Sequence, residues 1–353
     1  MVNIFKYDQP FTLESGITLP EIHLAYSTHG HLSAAKDNVV WIFHALTANS
    51  DPAEWWPGLV GNGKLFDPEN YFIVCVNMPG SCYGSIGPLE LNPDTSEPWY
   101  HDFPFFTTRD MIRSYHYLKE YLGFEKIYVG IGGSMGGQQL LEWAIEEPDV
   151  FQFIFPLATN ARHSPWGIAF NASQRMAIEA DSSWQERNPD AGIEGMKAAR
   201  SIALISYRHY ETYLKSQSEN DNDPIDSYKS ESYQRYQGEK LARRFNAFSY
   251  YKLSQGMDAH NVGRGRNSVE DALQKIRAKT LVIGIETDIL FPLVEQKFLA
   301  DEIPGASYKA IQSHYGHDGF LLEFDQIELI IRDFLEEENN RQAPDVKKLE
   351  SVK

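Results

Sequence analysis

The chain has 353 residues, 42% of them hydrophobic and 13% aromatic, enough for one large domain or for a core with an insertion, and too apolar for a disordered chain. Its formal net charge of −17 argues against a nucleic-acid partner held by phosphate contacts, while leaving room for a local basic site for a small anion. The two cysteines, Cys75 and Cys82, lack the further Cys or His ligands that a metal site needs, and no metal is expected.

The opening MVNIFKYDQPF has no basic stretch followed by an apolar one, so no signal peptide is expected and the cytoplasm is the expected compartment. No apolar run approaches the length of a membrane span. Residues 1 to 36 alternate and are broken by Gly and Pro, as an opening β region does. Val39 to Phe43 reads as a buried strand ending in the loop HALTANS, and YFIVCVNMPGS (71–81) repeats that logic. TTRDMIRSYHYLKEYLGF (107–124) reads as a helix, with Thr107 or Thr108 as N-cap and Gly123 as its stop. A strand from Ile127 runs into GGSMGGQQLLEWA, whose second half is helical, and FIFPLAT (153–159) is a further strand. Strands alternating with helices imply a mostly parallel sheet covered on both faces.

The alternation then stops. Residues 161–264 carry helical patterns with one acidic break, SQSENDNDPIDSYKSES, and read as an inserted helical lid. It resumes with TLVIGIETD, a helix through VEQKFLADEI, the strand SYKAIQ and a last helix near 325–336. The core is therefore expected over 1–160 and 265–336, with 337–353 a polar, disordered tail.

One junction needs a chemical reason. Gly132-Gly133-Ser134-Met135-Gly136 fits G-x-S-x-G between a strand and a helix, which is similar to the nucleophile elbow of the α/β-hydrolase fold. There the turn is too sharp for flanking side chains, and the serine stands at a helix N-terminus whose first N–H, here Met135, can meet an oxyanion. The bland alternative is a glycine-rich turn with an idle serine. A serine nucleophile needs a base and the base needs an orienter, in the chain order Ser, acid, His in this fold. Asp288, in the loop past a late strand, is the acid candidate ahead of Glu286. His317, in SHYGHDGF, is the base candidate and is expected in a flexible loop end, with His314 beside it. Leu46 in HALTANS is the candidate for the second oxyanion N–H, and Thr47 either helps or caps the turn.

FHALTANSDPAEWWPGLVGNGKLFD, VNMPGSCYGSIGP, GGSMGGQQLLEWA, AFNASQRMAIEAD, RFNAFSYYKLSQGMDAH and YGHDGFLLE together resemble the homoserine O-acetyltransferase family, over about residues 5 to 335. The resemblance implies ping-pong transfer of an acetyl group from acetyl-CoA, through acetyl-Ser134, to the hydroxyl of homoserine, with acetyl-CoA as co-substrate and no permanently bound cofactor. It also implies that Arg175 binds the homoserine carboxylate, that Asp318 holds its amino group, and that the protein is a homodimer joined through lid helices. Succinyl transfer, serine as acceptor, and an esterase with the same triad are the alternatives on this scaffold. A catalytically silent binding protein is a third class, which the presence of Ser134, Asp288 and His317 argues against.

Overall fold

The computed structural model describes residues 2–220 and 225–342. Its strands in chain order are β1 (Val2–Tyr7), β2 (Phe11–Thr12), β3 (Thr18–Leu19), β4 (Ile22–His29), β5 (Val39–Phe43), β6 (Phe72–Val76), β7 (Ile127–Gly133), β8 (Phe151–Leu157), β9 (Lys279–Ile285) and β10 (Ser307–Ile311). Among the described residues β2 and β3 form a small ribbon, and the others form an eight-stranded sheet in the order β1-β4-β6-β5-β7-β8-β9-β10. β1 pairs with β4 and β4 with β6 antiparallel; from β6 to β10 every pairing is parallel. The mostly parallel sheet expected from the alternation is present. It also explains why the central strands read as unbroken apolar runs: both faces are covered.

Strand periodicity sorts those runs into two cores. In β5, Trp41 and Phe43 face one side, where they pack with Tyr115 and Trp143. Val40 and Ile42 face the other, with Trp56, Ile327, Ile331 and Phe334. Tyr115 comes from α2 (Thr108–Leu122), Trp143 from α3 (Met135–Glu146), Ile327, Ile331 and Phe334 from α11 (Phe324–Gln342), and Trp56 directly follows α1 (Pro52–Trp55). The other helices are α4 (Pro165–Glu179), α5 (Ile193–Tyr207), α6 (Tyr210–Gln217), α7 (Lys229–Ala242), α8 (Ala247–Asp258) and α9 (Val269–Leu273) between β8 and β9, called the insertion below, and α10 (Leu293–Glu302) after β9. α2 starts on a full capping box between Thr107 and Asp110 and stops at Gly123, whose φ of 80° satisfies the left-handed C-cap. α11 runs past the expected end at 336 to Gln342, and the rest of the expected polar tail lies outside the described residues.

The segment between β8 and β9 leaves and re-enters the core at one place. Its two ends pair through His163 N–H to the His260 carbonyl (3.0 Å) and Val262 N–H to the Ala161 carbonyl (2.9 Å). A largely buried ionic cluster then fastens the returning end. Glu142 lies between Arg109 (2.8 Å) and Arg266 (2.7 Å), and Glu14 between Arg109 and Arg264 (both 2.7 Å). Burial and the adjacent Glu142 charge push Glu146, at the edge of this cluster, up to about 7.

Candidate active site

Ser134 follows the last residue of β7 and precedes the first of α3, at φ 57° and ψ −128°, a backbone conformation that side-chain-bearing residues adopt only under constraint. The constraint is visible in the neighbouring glycines. A Cβ on Gly132 would lie 2.6 Å from the Gly136 carbonyl carbon, and one on Gly133 2.4 Å from the Phe320 ring. One on Gly136 would lie 2.1 Å from the Phe43 carbonyl oxygen. The turn is held by Ser134 N–H to the Leu157 carbonyl (3.0 Å) and by two donors on the Ser134 carbonyl: Gln138 N–H (3.2 Å) and the Thr159 hydroxyl (2.8 Å).

His317 Nδ1 and Asp288 Oδ2 are 2.6 Å apart, and both side chains are almost wholly buried. The other Asp288 oxygen, Oδ1, accepts the backbone N–H groups of Leu290 (2.8 Å) and Phe291 (2.9 Å). The carboxylate is thus aimed from both ends. The imidazole is fixed by stacking on Phe291 (centroids 5.0 Å apart), by an edge contact with Phe320 and by the tilted ring of Tyr207. Phe320 packs on Gly133 as well as on His317, so one ring joins the serine turn to the histidine. His317 does not sit in a flexible loop end as expected. It is buried in a 3₁₀ helix, Gly316–Leu321, pressed under the C-terminus of α5. A Cβ on Gly316 would lie 2.9 Å from His209 N and 3.0 Å from the Tyr207 carbonyl oxygen, and its φ of 64° adds a second reason for glycine there.

Met135 is the first residue of α3, so its N–H has no intrahelical acceptor. Leu46 is buried in the loop after β5, and that loop is held by a residue not anticipated from sequence. His44 donates through Nδ1 to the Ala45 carbonyl (2.8 Å) and accepts the Met78 N–H at Nε2 (3.1 Å). Burial holds its imidazole down to about 4, so it keeps the single tautomer that both bonds require. The Thr47 carbonyl is bound from the insertion by Arg244 at 2.5 Å.

The two residues expected at the acceptor stand differently. Asp318 is buried beside His317, with Oδ2 2.9 Å from Arg208 Nε. Arg175 is already matched: it contacts Asp258 at 2.6 Å and the Ser254 hydroxyl at 3.1 Å, and lies over Tyr251. None of these partners belongs to the serine, histidine or Asp288. α8 thus supplies a carboxylate partner to the Arg175 guanidinium, as Arg208 supplies a cation to Asp318. Another arginine of the same segment lies one ring away from His317. Arg200 in α5 stacks over Tyr207 at 5.4 Å, and Tyr207 is a neighbour of His317. Among the described residues Arg200 has no carboxylate partner within ion-pair distance. The sequence signal was the spacing: Arg200 and Tyr207 are seven apart, on one helix face.

The model of the α/β-hydrolase fold matches residues 38–324, so the chain is an α/β-hydrolase-fold protein. Homoserine O-acetyltransferase of Cyclobacterium marinum is 49% identical over 336 residues, 95% of each chain. The chain belongs to the homoserine O-acetyltransferase family. The crystal structure of homoserine O-acetyltransferase from Bacillus anthracis superposes with a TM-score of 0.87 at 23% identity, over 95% of this chain and 98% of that one. The crystal structure of esterase E22 does so with a TM-score of 0.84 at 23% identity, over 95% of this chain and 100% of that one. At these identities the two structures speak for the fold alone.

Proposed function

We propose that this protein transfers the acetyl group of acetyl-CoA to the hydroxyl of L-homoserine, giving O-acetyl-L-homoserine for methionine synthesis. The observation that carries the chemistry is the buried His317–Asp288 pair at 2.6 Å, joined through Phe320 to the strained Ser134 turn. His317 Nε2 takes the Ser134 proton as Oγ attacks the thioester carbonyl. Asp288 holds the Nδ1–H tautomer and stabilises the imidazolium that forms. The N–H groups of Leu46 and Met135 receive the developing oxyanion. The C–S bond breaks, His317 returns the proton to the CoA thiolate, and acetyl-Ser134 remains. Homoserine then enters, gives its hydroxyl proton to His317 and attacks the ester, which frees Ser134 and the product.

Burial favours transfer over hydrolysis. Ser134, Asp288 and His317 are 6%, 5% and 3% exposed, under the insertion helix that carries Tyr207. We assign the acceptor's carboxylate to Arg200 and its ammonium to Asp318. The test crosses acetyl-CoA and succinyl-CoA with homoserine, serine and water, following thiol release and product mass. Fast release is expected only with acetyl-CoA plus homoserine; equal release with water alone would make the protein a hydrolase.

The acceptor assignment has its own outcome. Arg200→Ala is expected to raise the homoserine KM by about 10²-fold, the loss of a charge-assisted pair of roughly 3 kcal/mol, with acetyl-enzyme formation unchanged. Arg175→Ala is expected to leave that KM nearly unmoved and to lower the thermal midpoint instead, since it strands Asp258. The reverse pattern would return the carboxylate to Arg175.

A further inference from the structure

Behind the serine and the acid, a short segment touches both. β8 ends at Leu157, and the next residue, Ala158, is fully buried at φ 42°. That kink turns Thr159 and Asn160 between α3 and α10. The Thr159 hydroxyl donates to the Ser134 carbonyl (2.8 Å), and the Thr159 carbonyl accepts Gln296 Nε2 (2.7 Å). Asn160 runs parallel to it. Its Oδ1 accepts Gln138 Nε2 (2.9 Å), and its Nδ2 donates to Glu295 Oε2 (2.9 Å). Gln138 is the residue whose N–H holds the Ser134 carbonyl. The Asn160 carbonyl is held in turn by His260 Nε2 at 3.0 Å.

Glu295 and Gln296 lie in the first turn of α10, directly after the Asp288 loop. Glu295 shares the wall of a cavity of about 420 Å³ with Asp288, Ser164 and Trp166. Two side-chain relays therefore run from α10 through the β8 turn to the Ser134 carbonyl, and α10 is continuous with the loop that carries the acid.

We propose that Glu295 and Asn160 are positioning residues, whose bond fixes the Ser134 turn relative to the loop carrying Asp288. The proposal rests on the reading of Ser134, Asp288 and His317 given above. What Glu295 supplies is an acceptor for the Asn160 amide. Burial, and the Asp288 charge beside it, push Glu295 up to about 7, so near neutral pH a proton is readily kept there and no second full negative charge need face Asp288. Glutamine copies that neutral acceptor; alanine removes it.

The experiment compares Glu295→Ala and Glu295→Gln, with stopped-flow acetylation of Ser134 by p-nitrophenyl acetate and steady-state transfer from acetyl-CoA to homoserine. Glu295→Ala is expected to slow acetylation and lower kcat by about tenfold, as a misplacement of well under 1 Å would do, with both KM values unchanged. Glu295→Gln is expected to recover the unsubstituted rates within about twofold. Acetylation by Glu295→Ala at the unsubstituted rate would overturn the proposal, as would equal losses in the two variants. If Glu295→Ala does not fold, Gln138→Met, which keeps the volume and cuts the link to Asn160, carries the same expectations and the same refutation. Absence of Ser134 acetylation in the unsubstituted protein would overturn the site reading and this proposal with it. Normal acetylation without transfer to homoserine would overturn only the acceptor, and the Glu295 comparison would stand.

Discussion

Ser134→Ala is expected to lower acetyl transfer by about 10⁴- to 10⁶-fold, the range that loss of a serine nucleophile causes when the oxyanion donors remain. The fold should survive, because among the described residues the hydrogen bonds that build the turn use the Ser134 backbone rather than its hydroxyl. Ser134→Gly should be equally inactive and more stable than Ser134→Ala, by about 1 kcal/mol. A Cβ at φ 57° and ψ −128° is strained, and glycine releases that strain. Thiol release and thermal unfolding, measured on the same two variants, read the two effects separately. A Ser134→Ala protein with more than a trace of transfer would remove the acetyl-enzyme from the mechanism. Two variants of equal stability would mean that the turn stores no strain at this residue.

That strain shows what a sequence can and cannot convey about such a site. The elbow was legible because Gly132 and Gly136 meet each other within one strand–turn–helix unit; the demands on Gly136 from Phe43 and on Gly133 from Phe320 come from elsewhere in the fold. The β5, β7 and β9 strands were legible because parallel strands are buried on both faces and carry few polar residues. Asp288 and His317 came from chain order in a known fold, and the structure sets them 2.6 Å apart.

What stayed hidden depends on long-range pairing. Arg175 reads as an available cation until α8 brings Asp258 to it from 83 positions away. Arg200 reads as a charge on an amphipathic helix until α5 is laid across the 3₁₀ turn that holds His317. Likewise His44 gains its role from Met78 on the neighbouring strand's loop, 34 positions on. The Glu14–Arg109–Glu142–Arg266 cluster includes a direct Glu14–Arg264 bond between residues 250 apart, and the net charge gave no sign of it. The helical periods over 161–264 match α4 to α8, and periodicity alone does not say which side chain of a helix meets which neighbour.

Asp288→Asn is expected to lower kcat by about 10⁴-fold with little change in stability, and the hydrogen bonds around Asp288 dictate why. Oδ1 faces two backbone donors, Leu290 N–H and Phe291 N–H. In the asparagine variant the carbonyl oxygen must keep that place, since an amide nitrogen there would set N–H against two N–H groups. The NH₂ group therefore points at His317 Nδ1, which must then give up its proton and accept. The ring's single proton moves to Nε2, the nitrogen that has to take the serine proton, and the base is lost in the resting enzyme. Acetylation by p-nitrophenyl acetate measures this directly, without acetyl-CoA or homoserine. Asp288→Ala frees the imidazole to choose its tautomer and lets water into the space, so it should retain more activity than Asp288→Asn at high pH. A loss below about tenfold in Asp288→Asn would mean that the ring is not tautomer-locked. Neither the Asp288 charge, which asparagine lacks, nor the aim given to it by Leu290 and Phe291 would then have a large part in the rate.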